Sequence, residues 1–206
     1  MTIRFRIFLG LICLATSASA QIGVRVFNYR PTGEFGFVMK PTMSLEIGLV
    51  NAFEDDERWR VNFTATFLIM KPRMETFPVY GTMTGQGTTV LPGEQSFNKY
   101  NIFQLYGGAD FAIIKQDPFV IFIGGDLVAG AASVDYTHNI QTYKSESYSG
   151  GGILAGLRFR AGAEYVINDS FGLSFTANRS VFLVTEPAGI FAANDYGIGV
   201  RYSWNN

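Results

Sequence analysis

Hydrophobic and polar residues alternate with a period of two along much of the chain. The clearest stretch is 58–70, where every second residue from Trp59 is apolar or small and the residues between, such as Arg60, are polar up to 66. The pattern returns over 153–167 and again over 196–204. Because successive side chains of a strand point to opposite faces, these stretches predict β-strands with one continuous apolar face.

Weaker alternating stretches complete a set of eight predicted strands. Their approximate bounds are 22–29, 41–53, 58–70, 101–115, 118–133, 153–167, 170–184 and 196–204. Short polar connections at 54–57, 116–118 and 168–170 alternate strictly with longer ones at 30–40, 71–100, 134–148 and 185–193. Short periplasmic turns and long extracellular loops are typical of transmembrane barrels. The fold class that we predict is all-β, an eight-stranded antiparallel up-and-down transmembrane β-barrel with both ends periplasmic.

Two soluble folds explain part of the same pattern. A β-sandwich also has alternating strands and regular turns, and a lipocalin-type barrel would have its apolar face inside. A composition of only 16% charged and 15% aromatic residues favours lipid as the outer solvent. The pattern of alternation alone does not exclude the soluble barrel.

The first twenty residues have the three parts of a secretory signal peptide. Arg4 and Arg6 precede a short apolar core at 7–15, and Ala18-Ser19-Ala20 provides the small residues of a cleavage site. That core is too short for a membrane-spanning helix, which needs about 20 residues. We expect a signal peptide at 1–20 and a mature barrel domain at 21–206; a lipoprotein signal at Cys13 is the alternative.

Composition narrows the chemistry of the mature chain. Cys13 is the only cysteine and His138 the only histidine, so neither disulfides nor metal sites built from these residues are expected. Removing Arg4 and Arg6 leaves 14 basic and 17 acidic residues, a net charge of −3. The sequence has no stripe of basic residues that would indicate nucleic-acid binding. We expect no cofactor.

Aromatic residues of transmembrane barrels collect at the two membrane–water interfaces. The residues expected on the periplasmic rim are Phe53, Trp59, Phe119, Tyr165, Phe171 and Trp204. The opposite rim could carry Tyr29, Phe103, Tyr136, Tyr148 and Tyr196.

The end of the chain resembles the last strand of proteins inserted by the outer-membrane assembly machinery. Gly199, Tyr202 and Trp204 match its glycine followed by alternate aromatics, although Gly197 replaces a usual polar residue and Asn205-Asn206 follow the last aromatic. Over 21–206 the pattern is similar to the small eight-stranded outer-membrane barrels, namely the barrel domain of outer-membrane protein A and the outer-membrane protein X and W types. The resemblance implies an outer-membrane location, lipid contact and assembly by that machinery.

Eight strands enclose a lumen that side chains just fill. The polar residues expected to point inward are Arg25, Glu46, Arg58, Arg60, Gln104, Tyr106, Asp110, Asp126, Arg158, Arg160, Glu164 and Arg201. One interpretation is a core of ion pairs, because buried charges need partners, with Asp110 and Asp126 pairing Arg158 and Arg160. The other interpretation is an ion-conducting path.

Some small outer-membrane barrels are enzymes that modify lipid A with serine, histidine and acidic groups. Here Ser133, Asp135 and His138 lie together in the third long connection. A nucleophilic serine needs a base within hydrogen-bond reach, which nearness in sequence does not guarantee. A solvated loop histidine is the interpretation we favour, and we expect no catalytic residues.

The long connections at 71–100 and 134–148 are the other candidate sites, because loops on a rigid scaffold often bind partners. The first is rich in Gly, Thr and Pro, which fits a docking surface, a mobile loop or strands that extend above the membrane. The function we expect is a non-enzymatic outer-membrane barrel with a structural, adhesive or complex-accessory role. A narrow channel for small hydrophobic solutes is the main alternative.

Overall fold

The computed structural model describes residues 21–50, 58–84, 88–140, 145–185 and 188–203. The predicted signal peptide, Phe53 and Trp204 lie outside the described residues. The strands are β1 (Gln21–Thr32), β2 (Thr42–Val50), β3 (Trp59–Met70), β4 (Phe77–Thr84), β5 (Thr88–Gln116), β6 (Phe119–Ile140), β7 (Glu146–Val166), β8 (Phe171–Thr185) and β9 (Ala188–Ser203). One short helix, α1 (Gly33–Val38), follows β1.

All neighbouring strands are antiparallel and together they close a ring. The strand order is β3-β2-β1-β9-β8-β7-β6-β5-β4, and β3 also pairs with β5. That last pairing runs from Trp59 opposite Phe111 to Met70 opposite Tyr100 and closes the barrel. Eight strands therefore form the ring, as the sequence predicts, and β4 pairs with β5 outside it.

The predicted long connections contain more regular structure than the alternation indicates. β5 begins at Thr88 and β6 ends at Ile140, so the pair continues well past the end of β3. β9 begins at Ala188 rather than near 196. The expectation of loops at 134–148 and 185–193 was therefore wrong for most of those residues. Extended strands were one of the three expectations for 71–100. Antiparallel partners keep their ladder hydrogen bonds beyond the ring, and this continued pairing explains the extra length.

The two faces of the ring differ in the way that the alternation predicts. The outer face is an apolar belt, on which Val61, Phe159 and Ile198 are each at least 60% exposed. The inner face holds the polar residues at one end of the barrel and apolar residues at the other. We refer to the end at the connections 116–118 and 168–170 as the short-turn end, and to the opposite end as the long-loop end.

The helix α1 lies at the long-loop end. Gly33 begins it with a φ of +64°, a conformation that glycine adopts without a steric penalty. Phe35 on this helix is buried, and its ring centre lies 5.4 Å from that of Tyr100 and 4.7 Å from that of Phe191. The helix thereby adds an aromatic residue from outside the ring to the interior. Within the described residues, no helix has the length and apolar content needed to cross a membrane.

Aromatic residues meet in cross-strand pairs at the short-turn end. Phe119 pairs with Tyr165 at a ring-centre distance of 5.0 Å. Trp59 lies 4.9 Å from Phe111, and Phe171 lies 4.9 Å from Tyr202. The residues expected on this rim that the structure describes, Trp59, Phe119, Tyr165 and Phe171, are all exposed there.

The aromatic residues expected on the other rim lie in three different positions. Phe103 and Tyr196 are exposed on the outer face. Tyr29 is fully buried inside the barrel, so its expected position on the rim was wrong. Arg25 and Phe27 are also buried, and the period-two alternation of β1 places Tyr29 on the same inner face. Tyr136 and Tyr148 are half-buried where β6 and β7 extend beyond the ring.

Candidate functional site: the barrel interior

Ten buried charged side chains form one continuous series in the lumen. Each internal member contacts one group of opposite charge on either side, so the charges alternate along the series. The series is Arg201, Glu164, Arg60, Asp110, Arg160, Asp126, Arg158, Glu46, Arg25 and Asp195. Five arginines meet five carboxylates, so the network is neutral as a whole.

The strand register places these groups close together. Arg25 on β1 lies opposite Glu46 on β2, and Asp126 on β6 lies opposite Arg158 on β7. Arg60 on β3 lies opposite Asp110 on β5, which puts the guanidinium Nε 2.8 Å from a carboxylate oxygen. Other contacts cross the lumen: Arg60 also donates to Glu164 at 2.5 Å. The network therefore connects strands that are not neighbours in the ring.

Two arginines and two aspartates form the centre of the network. Arg158 donates from Nε to Asp126 at 2.6 Å and from Nη1 to Glu46. Arg160 bridges Asp110 and Asp126, at 2.9 Å and 3.0 Å. Both aspartates are at most 3% exposed. The pairing of Asp110 and Asp126 with Arg158 and Arg160 is the arrangement proposed above from strand order.

Polar groups hold both ends of the series. At the short-turn end Arg201 donates to Glu164 at 2.7 Å and to the side chain of Gln21. At the other end Asp195 accepts hydrogen bonds from Arg25 at 2.8 Å and from the Asn178 amide at 2.7 Å. Charge-assisted hydrogen bonds of this kind offset part of the cost of removing charges from water.

The structure changes the expected interior set in two ways: it removes Arg58 and adds Asp195. Arg58 lies just before β3 and is exposed, so its placement inside the barrel was wrong. The alternation of β3 continues to it, but the lumen ends there and its side chain meets solvent. Asp195 was not among the expected interior residues, because the last strand was predicted to start at 196. Continuing the inward positions Arg201, Gly199 and Gly197 by one step identifies it.

Two glycines make room for the aspartates. Asp110 faces Gly124 across β5 and β6, and Asp126 faces Gly108 across the same pair. A β-carbon on Gly124 would stand 2.0 Å from a carboxylate oxygen of Asp110, and one on Gly108 would stand 2.5 Å from that of Asp126. Each carboxylate thus occupies the space above a glycine of the neighbouring strand.

The long-loop half of the lumen is a packed apolar core. Its members are buried and come from β1, α1, β3 and β5 to β9, and they include Phe27, Tyr29, Phe35, Leu68, Met70, Tyr100, Ile102, Val134, Leu154 and Phe182. For the members that lie on strands, the period-two alternation places the side chain on the inner face, yet the residues expected inside were chosen from the polar positions. Apolar side chains therefore fill the long-loop half of the lumen, and the charged series occupies the other half.

A small space lies among the charged groups. A cavity of about 50 Å³ is bordered by Arg25, Glu46, Arg60, Asp110, Arg160, Glu164 and Arg201. A water molecule needs roughly 10–15 Å³ of such volume, so the space suits a few water molecules. This cavity has room for water but not for a larger solute.

Ser133, Asp135 and His138 do not form a catalytic triad. Ser133 and Asp135 lie on one face of β6, and His138 lies on the other face because strand side chains alternate. Ser149 donates to Asp135 at 2.6 Å, whereas the His138 ring lies 4.8 Å from the ring of Tyr136. Among the described residues, no group of three or more His, Cys, Asp and Glu side chains could hold a metal ion.

Comparison with solved structures gives the architecture its context. Neisserial surface protein A matches with a TM-score of 0.58 at 13% identity, over 91% of this chain and 98% of that one. The chain has the fold of the small outer-membrane β-barrels. A major outer membrane protein from Thermus thermophilus follows with a TM-score of 0.47, 11% identity and coverage of 90% and 99%. Outer membrane protein OprG from Pseudomonas aeruginosa has a TM-score of 0.44, 11% identity and coverage of 92% and 97%.

No family model matches the sequence, and no curated protein matches it. The likeness is therefore one of fold, and the residues of the lumen have to be interpreted from their own geometry.

The last strand of this barrel has two of the three expected assembly-signal residues within the described part. Gly199 is on the inner face, where a β-carbon would stand 2.8 Å from the Ser174 hydroxyl. Tyr202 is on the outer face, 43% exposed and next to Phe171 at the short-turn end. Both positions follow from the alternation of β9.

Proposed function

We propose that the protein is a non-enzymatic barrel of the bacterial outer membrane whose lumen is closed and whose function lies outside the membrane. The role is structural, adhesive or that of an accessory subunit. One observation carries the proposal: among the described residues, the charged series and the apolar core together occupy the lumen, while β4 to β7 extend beyond the ring. The apolar packing of the long-loop half weighs against a channel for hydrophobic solutes.

The outer surface supports a membrane location. A ring of exposed apolar residues is compatible with lipid and costly in water. Paired aromatic residues at the short-turn end fit a membrane–water interface. In this proposal the signal peptide at 1–20 directs export, and Gly199, Tyr202 and Trp204 engage the outer-membrane assembly machinery. The short-turn end then faces the periplasm and the long-loop end faces the outside.

The strands beyond the ring carry the binding site, a set of half-buried aromatic residues above the apolar core that we call the aromatic ladder. It consists of Phe77, Phe97, Tyr136 and Tyr148, one from each of β4 to β7. Tyr136 stacks on Tyr148 at 4.8 Å and lies 6.1 Å from Phe97, which in turn lies 5.6 Å from Phe77. Rigid aromatic side chains bury large areas at little entropic cost and are enriched in binding hot spots. We propose that a protein partner binds at this surface, within the segments 71–100 and 134–148.

Isolation of the tagged protein from native membranes tests this role. We expect a stoichiometric partner with the unchanged protein and its loss with the double variant Y136S/Y148S. The matched control is T137A/S149A, which changes the opposite face of the same two strands and should retain the partner. Retention of the partner by Y136S/Y148S, or isolation of the unchanged protein alone, would contradict the proposal.

A further inference from the structure

Two arginines on the outer face of the barrel lie on either side of one asparagine. Asn194 on β9 is opposite Arg30 on β1 and opposite Arg179 on β8. Both arginines are exposed. Since neighbouring strands are about 4.8 Å apart, the Cα atoms of the two arginines are roughly 10 Å apart. Two arginine side chains at that separation can reach the same small anion.

The cluster is organised by neutral groups. Arg179 donates from Nη1 to the Asn194 side-chain oxygen at 2.9 Å and to the Thr32 hydroxyl at 3.2 Å. The guanidinium carbon of Arg30 lies 5.9 Å from the centre of the Tyr196 ring. Among the described residues neither arginine has an ion pair within 4.0 Å, and neighbouring Asp195 faces inward to Arg25. The charges of both arginines are therefore without an anionic partner in this part of the chain.

The surface around the cluster is apolar on both sides. Toward the short-turn end Tyr196, Ile198 and Val200 continue the exposed belt, and toward the long-loop end Leu183 and Ile190 are 61% and 72% exposed. Charges on an apolar, lipid-facing surface are costly unless they pair or extend to the interface. This position favours a ligand that brings both hydrocarbon and negative charge.

The height of the cluster agrees with a lipid headgroup. Asn194 is eight residues above Tyr202 on β9. A tilted strand rises roughly 2.5 Å per residue along the barrel axis, so the cluster stands about 20 Å above the short-turn rim. The apolar band of outer-membrane barrels is about 25 Å tall. Arginine side chains at this level extend to the headgroups of the outer leaflet.

We propose that Arg179, positioned by Asn194 and Thr32, and Arg30, which lies beside Tyr196, together bind the phosphate of an outer-leaflet lipid whose acyl chains lie along Tyr196 and Ile198. Guanidinium groups bind phosphate through paired hydrogen bonds, which gives the site its selectivity for phosphorylated headgroups. This inference rests on the proposed membrane location and adds a specific lipid contact to it.

Native mass spectrometry of the detergent-solubilised protein with added lipid A tests the site. We expect one lipid A molecule to bind the unchanged protein at least tenfold more tightly than it binds the double variant R30Q/R179Q. Lipid A without phosphate should bind the unchanged protein as weakly as the variant binds intact lipid A. The variant K99Q removes an exposed charge from β5, and should bind like the unchanged protein.

Three outcomes would contradict the assignment. Equal affinity of R30Q/R179Q and the unchanged protein would exclude the arginines, and equal affinity for lipid A with and without phosphate would exclude a phosphate site. If inorganic phosphate, at the same concentration as lipid A, displaced lipid A from the protein, the site would not require a lipid. Protease protection in vesicles measures insertion separately, so failure of the membrane location is distinguishable from failure of the site.

Discussion

The guanidinium carbon of Arg158 lies 3.6 Å from the centre of the Tyr106 ring, and both side chains are almost completely buried. This contact joins the two halves of the lumen. Arg158 belongs to the charged series, and Tyr106 is the first of the apolar core. The Tyr106 hydroxyl donates to the Gln104 side chain at 2.6 Å, so its polar atom also has a partner. A cation above an aromatic face is stabilised by the ring quadrupole.

Truncation of Tyr106 should therefore weaken both halves of the interior. We expect Y106A to lower the free energy of unfolding by about 3–5 kcal/mol, because it leaves a cavity and removes the contact with Arg158. Y106F keeps the ring and should cost only about 1 kcal/mol, through the lost hydrogen bond. Urea unfolding in phospholipid vesicles measures both. Equal losses for the two variants would contradict the assigned role of the ring.

Removal of Glu164 should break the charged series near the short-turn end. E164A leaves Arg60 and Arg201 without their shared carboxylate, and an uncompensated buried charge costs about 3–5 kcal/mol. We expect a lower unfolding free energy with no increase in conductance. E146A removes a carboxylate from the exposed start of β7 and serves as the control. A stability of E164A equal to that of E146A would show that the series contributes nothing.

Two adjacent glycines on β6 provide a test of the packing around Asp110. G124A would displace the Asp110 carboxylate, and we expect a loss of about 1–3 kcal/mol from overpacking. The nearest atom to a β-carbon on Gly125 is 3.8 Å away, so G125A should fold with unchanged stability. The same urea titration compares them. Similar effects of the two substitutions would count against close packing of the carboxylate.

The helix α1 offers a paired test at the long-loop end. F35A removes the buried ring that contacts Tyr100 and Phe191, and we expect a loss of roughly 3 kcal/mol. F37A changes a side chain of the same helix that is 79% exposed, and it should be close to neutral. Neither variant should conduct ions, since the charged series still fills the lumen beneath. A conducting F35A would assign the closure to the helix alone.

The alternation was sufficient to predict the ring because period two determines which side chains face inward. Arg60, Asp110, Arg158 and Glu164 were identified in this way. When two paired charges lie on neighbouring strands, the strand register determines the pairing. The order of the strands is enough to predict such a pairing approximately. Contacts across the lumen, such as Arg60 with Glu164, depend on strand tilt and stagger, which no local pattern contains.

Other features depend on information that alternation lacks. Arg58 continues the inward pattern of β3, but the pattern does not state where the lumen ends. Asp195 was missed because the glycines and alanines of β9 weaken the contrast between its faces. Phe35 reaches the interior from a helix outside the ring, so no strand periodicity predicts it. Arg179, in contrast, can be identified from the sequence as an unusual residue, because it interrupts the apolar outer face of β8.

The ten-membered charged series and the apolar core above it close the barrel. Single-channel recording of the unchanged protein in planar lipid bilayers tests this closure. We expect no stable conductance above the baseline of the bilayer at neutral pH. Reproducible steps of steady conductance from the folded protein would contradict it.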